Sequence, residues 1–396
     1  MQQIQTKKFS DVSVLVRTLL PLNRDTITKY NVLIFMLKAK TKAFDTKQKL
    51  SIALNHAYGM RVSYGLTGYG KQIALDARFQ YLRPDLINAP HYVDEVVKIM
   101  DEILYHPLLD ERSFEEAKYL LSRRLMRQDE DPDTLALKLA LSLVDEDHDI
   151  AIPIQGYLKD LESIRFEEIL SLYEQWKQVP RIVYCCGIPD PKIDQFLNSI
   201  PQSSIVPLEQ SLIPQSDPSF EFLQKRISQT SIVQVYATNT SITSENYYPL
   251  LVLNSILGQG PVSLLFENVR EQRSLCYSIS SSLIRFDGAL LISTGTSASH
   301  LDECLRLIDE QIQTCIQGNF SDEEMEIAKM DLIDMFRRQQ DRPWSMIEQD
   351  FLDTLLKRED SLQERIRFIK KIDRQAICKV ASQLHLVSMA VIKEEE

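Results

Sequence analysis

Apolar and polar positions alternate along several stretches of the chain. Val12, Val14 and Val16 interleave with Ser13, Leu15 and Arg17, and Ile73, Leu75, Ala77, Phe79 and Tyr81 interleave with Ala74, Asp76, Arg78 and Gln80. A period of two predicts strands over 12–16, 60–66 and 72–82, with Gly65, Gly68 and Gly70 suiting a turn between the last two. Helical spacing predicts a helix over 25–38 with an unusually apolar middle, VLIFML, and a second over 46–58 that ends near Gly59. Further helices are expected over 92–105, 110–127 (capped by Asp110), 133–144 and 166–177. A short strand of the buried type follows at 181–186, then a small helix at 192–198.

Residues 201–218, PQSSIVPLEQSLIPQSDP, have no sustained period and read as a linker. The pattern then restarts. Strands are expected over 231–238, 275–283, 289–294 and 386–392. Helices are expected over 246–268 with a break at Gly258 and Gly260, and over 301–316, 322–340, 344–356 and 374–383. Residues 110–132 can be set on 321–343 without a gap, and seven of the 23 positions are identical, among them Ala117/Ala328, Lys118/Lys329 and Pro132/Pro343. Unrelated amphipathic helices share Ala, Glu and Lys cheaply. A proline at the same offset and the same order of flanking strands favour a duplication. The expected lobes are 1–200 and 219–396.

Composition narrows the class. The 396 residues are 44% hydrophobic and 26% charged, enough for substantial cores. A net charge of −11 argues against nucleic acid, which needs clustered Lys and Arg. No apolar run approaches the ~20 residues of a membrane helix, and no secretory h-region is visible. Six cysteines without a CxxC pair suggest reduced, buried thiols in a cytoplasm. There is no G-x-S-x-G, P-loop or G-x-G-x-x-G motif. His56 reads as an ordinary histidine at a helix end.

Residues 257–296 carry Leu257-Gly258, Ser263 to Phe266, Arg270-Glu271, Leu275 to Ser278 and Gly288. Together these resemble the C-terminal lobe of the insulinase (pitrilysin) family of zinc metallopeptidases, the inverzincins. The resemblance implies an α+β fold of two tandem homologous lobes, each a mixed or antiparallel sheet packed with helices, in a clamshell-type assembly. It also implies that Arg270 and Tyr277 face the active site of an opposite lobe and hydrogen-bond substrate and tetrahedral intermediate, supported by residues 258–266. Their donors suit a peptide carbonyl or an oxyanion. Taken alone, Arg270 reads as a solvated charge at a helix end and Tyr277 as a packed strand aromatic.

Active members carry H-x-x-E-H on a helix of the first lobe, two histidines for zinc and a glutamate to activate water. Here no two of the six histidines are four apart. Residues 31–41, NVLIFMLKAKT, match the family segment at Leu33, Met36, Leu37 and Thr41. Asn31, Ile34 and Phe35 then stand where His, Glu and His are needed, and Arg124 where the later Glu ligand falls. An amide, two apolar side chains and a guanidinium make no zinc site. The resemblance therefore implies a non-catalytic subunit that binds no cofactor itself. Its expected partner is a catalytic insulinase-family subunit with H-x-x-E-H and zinc, in a heterodimer enclosing a peptide substrate; a homodimer of the isolated chain is allowed. A purely structural or peptide-binding role is the alternative.

Overall fold

The computed structural model describes residues 1–205 and 210–395. The middle of the expected linker, 206–209, lies outside the described residues. The chain forms two compact units, each built on one five-stranded sheet.

The first sheet runs in the order β1 (Gln2–Ile4), β5 (Ile182–Cys186), β2 (Asp11–Pro21), β4 (Gln72–Leu82), β3 (Arg61–Tyr69). β1 lies parallel to β5, and the other pairs are antiparallel. β2 is buried on both faces, which explains its long apolar run VSVLV. β3 and β4 form a hairpin whose two-residue turn places Gly70 at φ +57°. α1 (Arg24–Leu37) begins at Asn23, whose side chain accepts from the Asp25 amide. Nine of its fourteen residues are buried, so its apolar middle is a core helix rather than an amphipathic one. α2 (Lys47–His56), α3 (Tyr92–Tyr105), α4 (Glu111–Glu130), α5 (Pro132–Ser142), α6 (Phe166–Gln178) and α7 (Pro191–Ser199) complete the first half. Asp110 caps α4 by accepting from the Ser113 amide and hydroxyl, both at 2.8 Å.

The second sheet repeats the topology strand for strand. Its order is β6 (Ser219–Lys225), β10 (His385–Glu394), β7 (Thr230–Ala237), β9 (Ala289–Thr296), β8 (Cys276–Ile284), with only β6 and β10 parallel. Two sheets with the same strand order and the same single parallel pair support the duplication seen in residues 110–132 and 321–343. The helices are α8 (Tyr247–Gly258), α9 (Leu301–Gln317), α10 (Asp322–Gln339), α11 (Pro343–Leu355), α12 (Leu362–Lys371) and α13 (Arg374–Ala381). β1, β6 and α12 were not expected from the sequence. α8 stops at Gly258, Gly260 takes φ +122°, and after this expected break helical structure resumes at Leu264 and runs through Glu271.

Neither unit is one continuous stretch of chain. The first comprises Met1–Met126, the described part of 154–208, and Gln339–Arg358; the second comprises Arg127–Pro153 and the described parts of 209–338 and 359–396. α5 therefore belongs to the second sheet. Its Ala136 and Ala140 allow close approach to Val233, Val235 and Ala390 in one buried cluster. Ser388 donates to the Ala140 carbonyl at 2.7 Å, and Ser231 donates to Asp133 at 2.6 Å. Reciprocally, α11 belongs to the first sheet. There Arg17, fully buried in β2, donates to Asp76 at 2.7 and 2.9 Å and to Glu348 of α11 at 3.0 Å. Its guanidinium lies 4.2 Å from the centre of the Phe351 ring, also on α11. Both exchanged helices begin with proline at the first turn, where no intrahelical amide is needed. The lobes drawn from the sequence at 1–200 and 219–396 leave α5 with the first sheet and α11 with the second, because local periodicity does not reveal the sheet on which a helix lands.

Candidate functional site

In the first unit, α1 carries Asn31, Ile34 and Phe35, three of the four residues expected at a degenerate metal position. Asn31 is 6% exposed, and its amide donates to the Ile27 carbonyl at 3.0 Å and the Ile154 carbonyl at 2.8 Å. Both donor hydrogens are thus committed to backbone. Ile34 is buried, and Phe35 is half-buried with the Lys38 ammonium 3.9 Å from its ring centre. Arg124 is exposed on α4. Desolvation, then the charges of Arg124 and Lys47, hold the Lys38 pKa below its ordinary value. Lys38, Lys47 and Arg124 give this face a cationic character. A committed amide, an isoleucine, a phenylalanine and a guanidinium do not fit zinc, and among the described residues no group of three His, Cys, Asp or Glu side chains could hold a metal.

In the second unit, three uncommon backbone features occur within a dozen residues. Phe266–Glu271 forms a single π-helical turn, a form that often marks functional positions. Ser274 adopts φ +54°, and its amide donates to the Arg270 carbonyl at 2.8 Å. A β-bulge then shifts the register of β8 against β9 between Cys276 and Ser278, leaving Tyr277 as the extra residue. The flanks are pinned: Thr296 donates to the Leu275 carbonyl at 2.6 Å and Thr294 to the Ser278 carbonyl at 2.9 Å. Tyr277 is 83% exposed, far too much for a packed strand aromatic.

Arg270 is partly exposed, at 38%, with its guanidinium 4.4 Å from the Phe266 ring centre and Nε 3.7 Å from Glu271. The stacking restrains a long side chain while leaving donors free for a ligand. Burial raises the Cys276 thiol pKa; a hydrogen bond with Thr294 and then the Arg270 charge offset part of that rise. α8 packs closely on β8, the strand that carries Tyr277. A Cβ at Gly258 would stand 2.6 Å from the Ser281 amide nitrogen of β8, so only glycine lets α8 approach so closely. Ser281 answers by donating to Asn254 of α8, at 2.8 Å to Oδ1. The sequence singles out Arg270 and Tyr277 as candidates, whereas the bulge, the π-turn and the positive φ of Ser274 leave no pattern in residue types.

The remaining candidate chemistry is quiet. Five of the six cysteines are buried, and burial holds Cys185, Cys304 and Cys315 at about 12, well away from reactive thiolates. No helix among the described residues is long and apolar enough to cross a membrane.

A family profile described as "Peptidase M16 inactive domain" matches residues 163–332. "Probable inactive metalloprotease YmfF" of Bacillus subtilis is 22% identical, over 99% of this chain and 95% of its own length. A conserved protein of Enterococcus faecalis V583, solved by crystallography, shares the fold at a TM-score of 0.90 and 23% identity, covering 99% of this chain and 96% of that one. The M16 inactive domain from Pseudomonas fluorescens follows at a TM-score of 0.81 and 14% identity, covering 100% and 95%. The paired five-stranded sheets, the motif around Arg270 and these similarities agree: residues 163–332 match the M16 inactive domain, and along nearly its whole length the chain is similar to an inactive M16-type metalloprotease and shares the fold of such proteins.

Proposed function

We propose that this chain is the non-catalytic subunit of a heterodimeric zinc metallopeptidase in the cytoplasm. Its partner would be an insulinase-family subunit carrying H-x-x-E-H and the zinc. This chain would complete the peptide chamber and supply Arg270 and Tyr277 to the partner's active site. The observation that carries the reading is the asymmetry between the two halves of the site. In the first unit, the residues read as a degenerate metal position are Asn31, Ile34, Phe35 and Arg124, while in the second unit Tyr277 is 83% exposed on a pinned bulge and Arg270 stacks on Phe266. An exposed tyrosine on a strained turn adds nothing to this chain's own core, so a role toward a ligand or partner accounts for it better.

In that role the Tyr277 hydroxyl and the Arg270 guanidinium donate hydrogen bonds to the scissile carbonyl oxygen as it gains negative charge. Zinc and the general base come from the partner. The test is to purify each chain and the mixture and to assay a quenched peptide library. Cleavage should require both chains and should be lost on zinc chelation. Zinc-dependent cleavage by this chain alone would refute the proposal. Full activity of the partner alone would favour a purely structural role.

A further inference from the structure

A second candidate site lies on the first unit, between α2 and α3. α2 buries only Leu50, and its Ile52 is 48% exposed. The helix therefore stands off from α3 and leaves a cavity of about 330 Å³, within the range of small-ligand sites. Phe44, Ile52, Ala53 and Ile99 form its apolar wall; Lys49, His56, Lys98 and Glu95 complete the lining. The Lys98 ammonium lies 5.7 Å from the Phe44 ring centre, where the apolar wall meets the charged edge. Lys49 is 2.8 Å from Asp45 in an exposed i,i+4 pair, which water screens and a competing anion can exchange. His56 occupies the last turn of α2. The edge thus offers two lysines beside His56, with Glu95 in the lining and Asp45 held in the exposed, exchangeable pair with Lys49.

We propose that this cavity binds a small amphiphilic carboxylate, a medium-chain fatty acid, with its tail against Phe44, Ile52, Ala53 and Ile99 and its carboxylate between Lys49 and Lys98. Covering Ile52 and the neighbouring wall removes apolar surface that the fold leaves wet. The two ammonium groups select the anionic head over a neutral or cationic one of the same length. The site is independent of zinc, of Arg270 and of Tyr277, so its failure leaves the subunit reading untouched, and the reverse also holds.

The experiment is isothermal titration of the full chain with octanoate, octanol and octylamine. Octanoate should bind about fivefold or more tighter than octanol, with octylamine weakest. Lys49→Glu with Lys98→Glu, both exposed positions, should reduce octanoate affinity about fivefold or more and leave octanol unchanged. Ala53→Trp should fill the cavity and abolish binding of both, with the circular dichroism spectrum confirming the fold. Equal binding of octanoate and octanol, no octanoate binding at millimolar concentration, or octanoate affinity unchanged in the double lysine variant would each overturn the proposal.

Discussion

Replacing Arg17 by methionine tests how the exchanged helix α11 is held on the first sheet. The guanidinium is fully buried and makes two hydrogen bonds to Asp76 and one to Glu348. Removing one partner of a buried ion pair costs about 3–5 kcal/mol, because the other charge stays desolvated. Asp76 would keep Arg78 at 2.9 Å, and Glu348 is 36% exposed and can hydrate. The cost therefore sits at the lower end, at about 3 kcal/mol, with up to about 1 kcal/mol more for the lost contact over Phe351. Arg17→Met combined with Asp76→Leu leaves no buried charge behind and should recover about 2 kcal/mol of that loss. Both tryptophans, Trp176 and Trp344, lie in the first unit, so intrinsic fluorescence during urea unfolding reports on this unit. A loss below about 1 kcal/mol in Arg17→Met would refute the reasoning. So would a double variant as unstable as the sum of the two single ones.

Two further outcomes are expected. Gly258→Ala forces α8 away from β8, since its Cβ would meet the Ser281 nitrogen at 2.6 Å. It should destabilise the chain by about 1–3 kcal/mol, measured by thermal unfolding, and an unchanged midpoint would count against the close approach. Asp287 is 5% exposed, and burial, with Asp149 second, lifts its pKa to about 7. The folded chain then holds a proton that the unfolded chain loses near pH 4, so this group costs stability increasingly as pH rises from about 4 through 7. Asp287→Asn should accordingly change little near pH 4 but stabilise by up to about 4 kcal/mol at pH 8; equal shifts at both pH values would contradict the assignment.

Local pattern made much of the fold legible. β4 and α3 occupy the residues the sequence predicts, because an unbroken alternation and a strongly one-sided helix leave little choice. β1 is too short for a period, and β6 adjoins the Pro- and Ser-rich segment that masked its Phe220/Phe222 alternation. α12 did leave a signal, the Ser361/Glu364 capping box, that periodicity alone passes over. The exchange of α5 and α11 and the Arg17 network were invisible because both depend on tertiary placement. At the candidate site, residue types alone carry the expectation that Asn31, Ile34, Phe35 and Arg124 hold no zinc. The commitment of the Asn31 amide to two carbonyls and the bulge under Tyr277 needed coordinates.

The proposed role of Arg270 and Tyr277 is to act in trans on a zinc-bearing partner. Its most direct test is steady-state peptidase kinetics of the assembled pair carrying Arg270→Ala or Tyr277→Phe, with the dissociation constant of the pair measured alongside. Loss of a hydrogen bond to the developing oxyanion should lower kcat/KM by roughly a hundredfold or more while the two chains bind as tightly as before. Unaltered kcat/KM in both variants, with the pair intact, would contradict it.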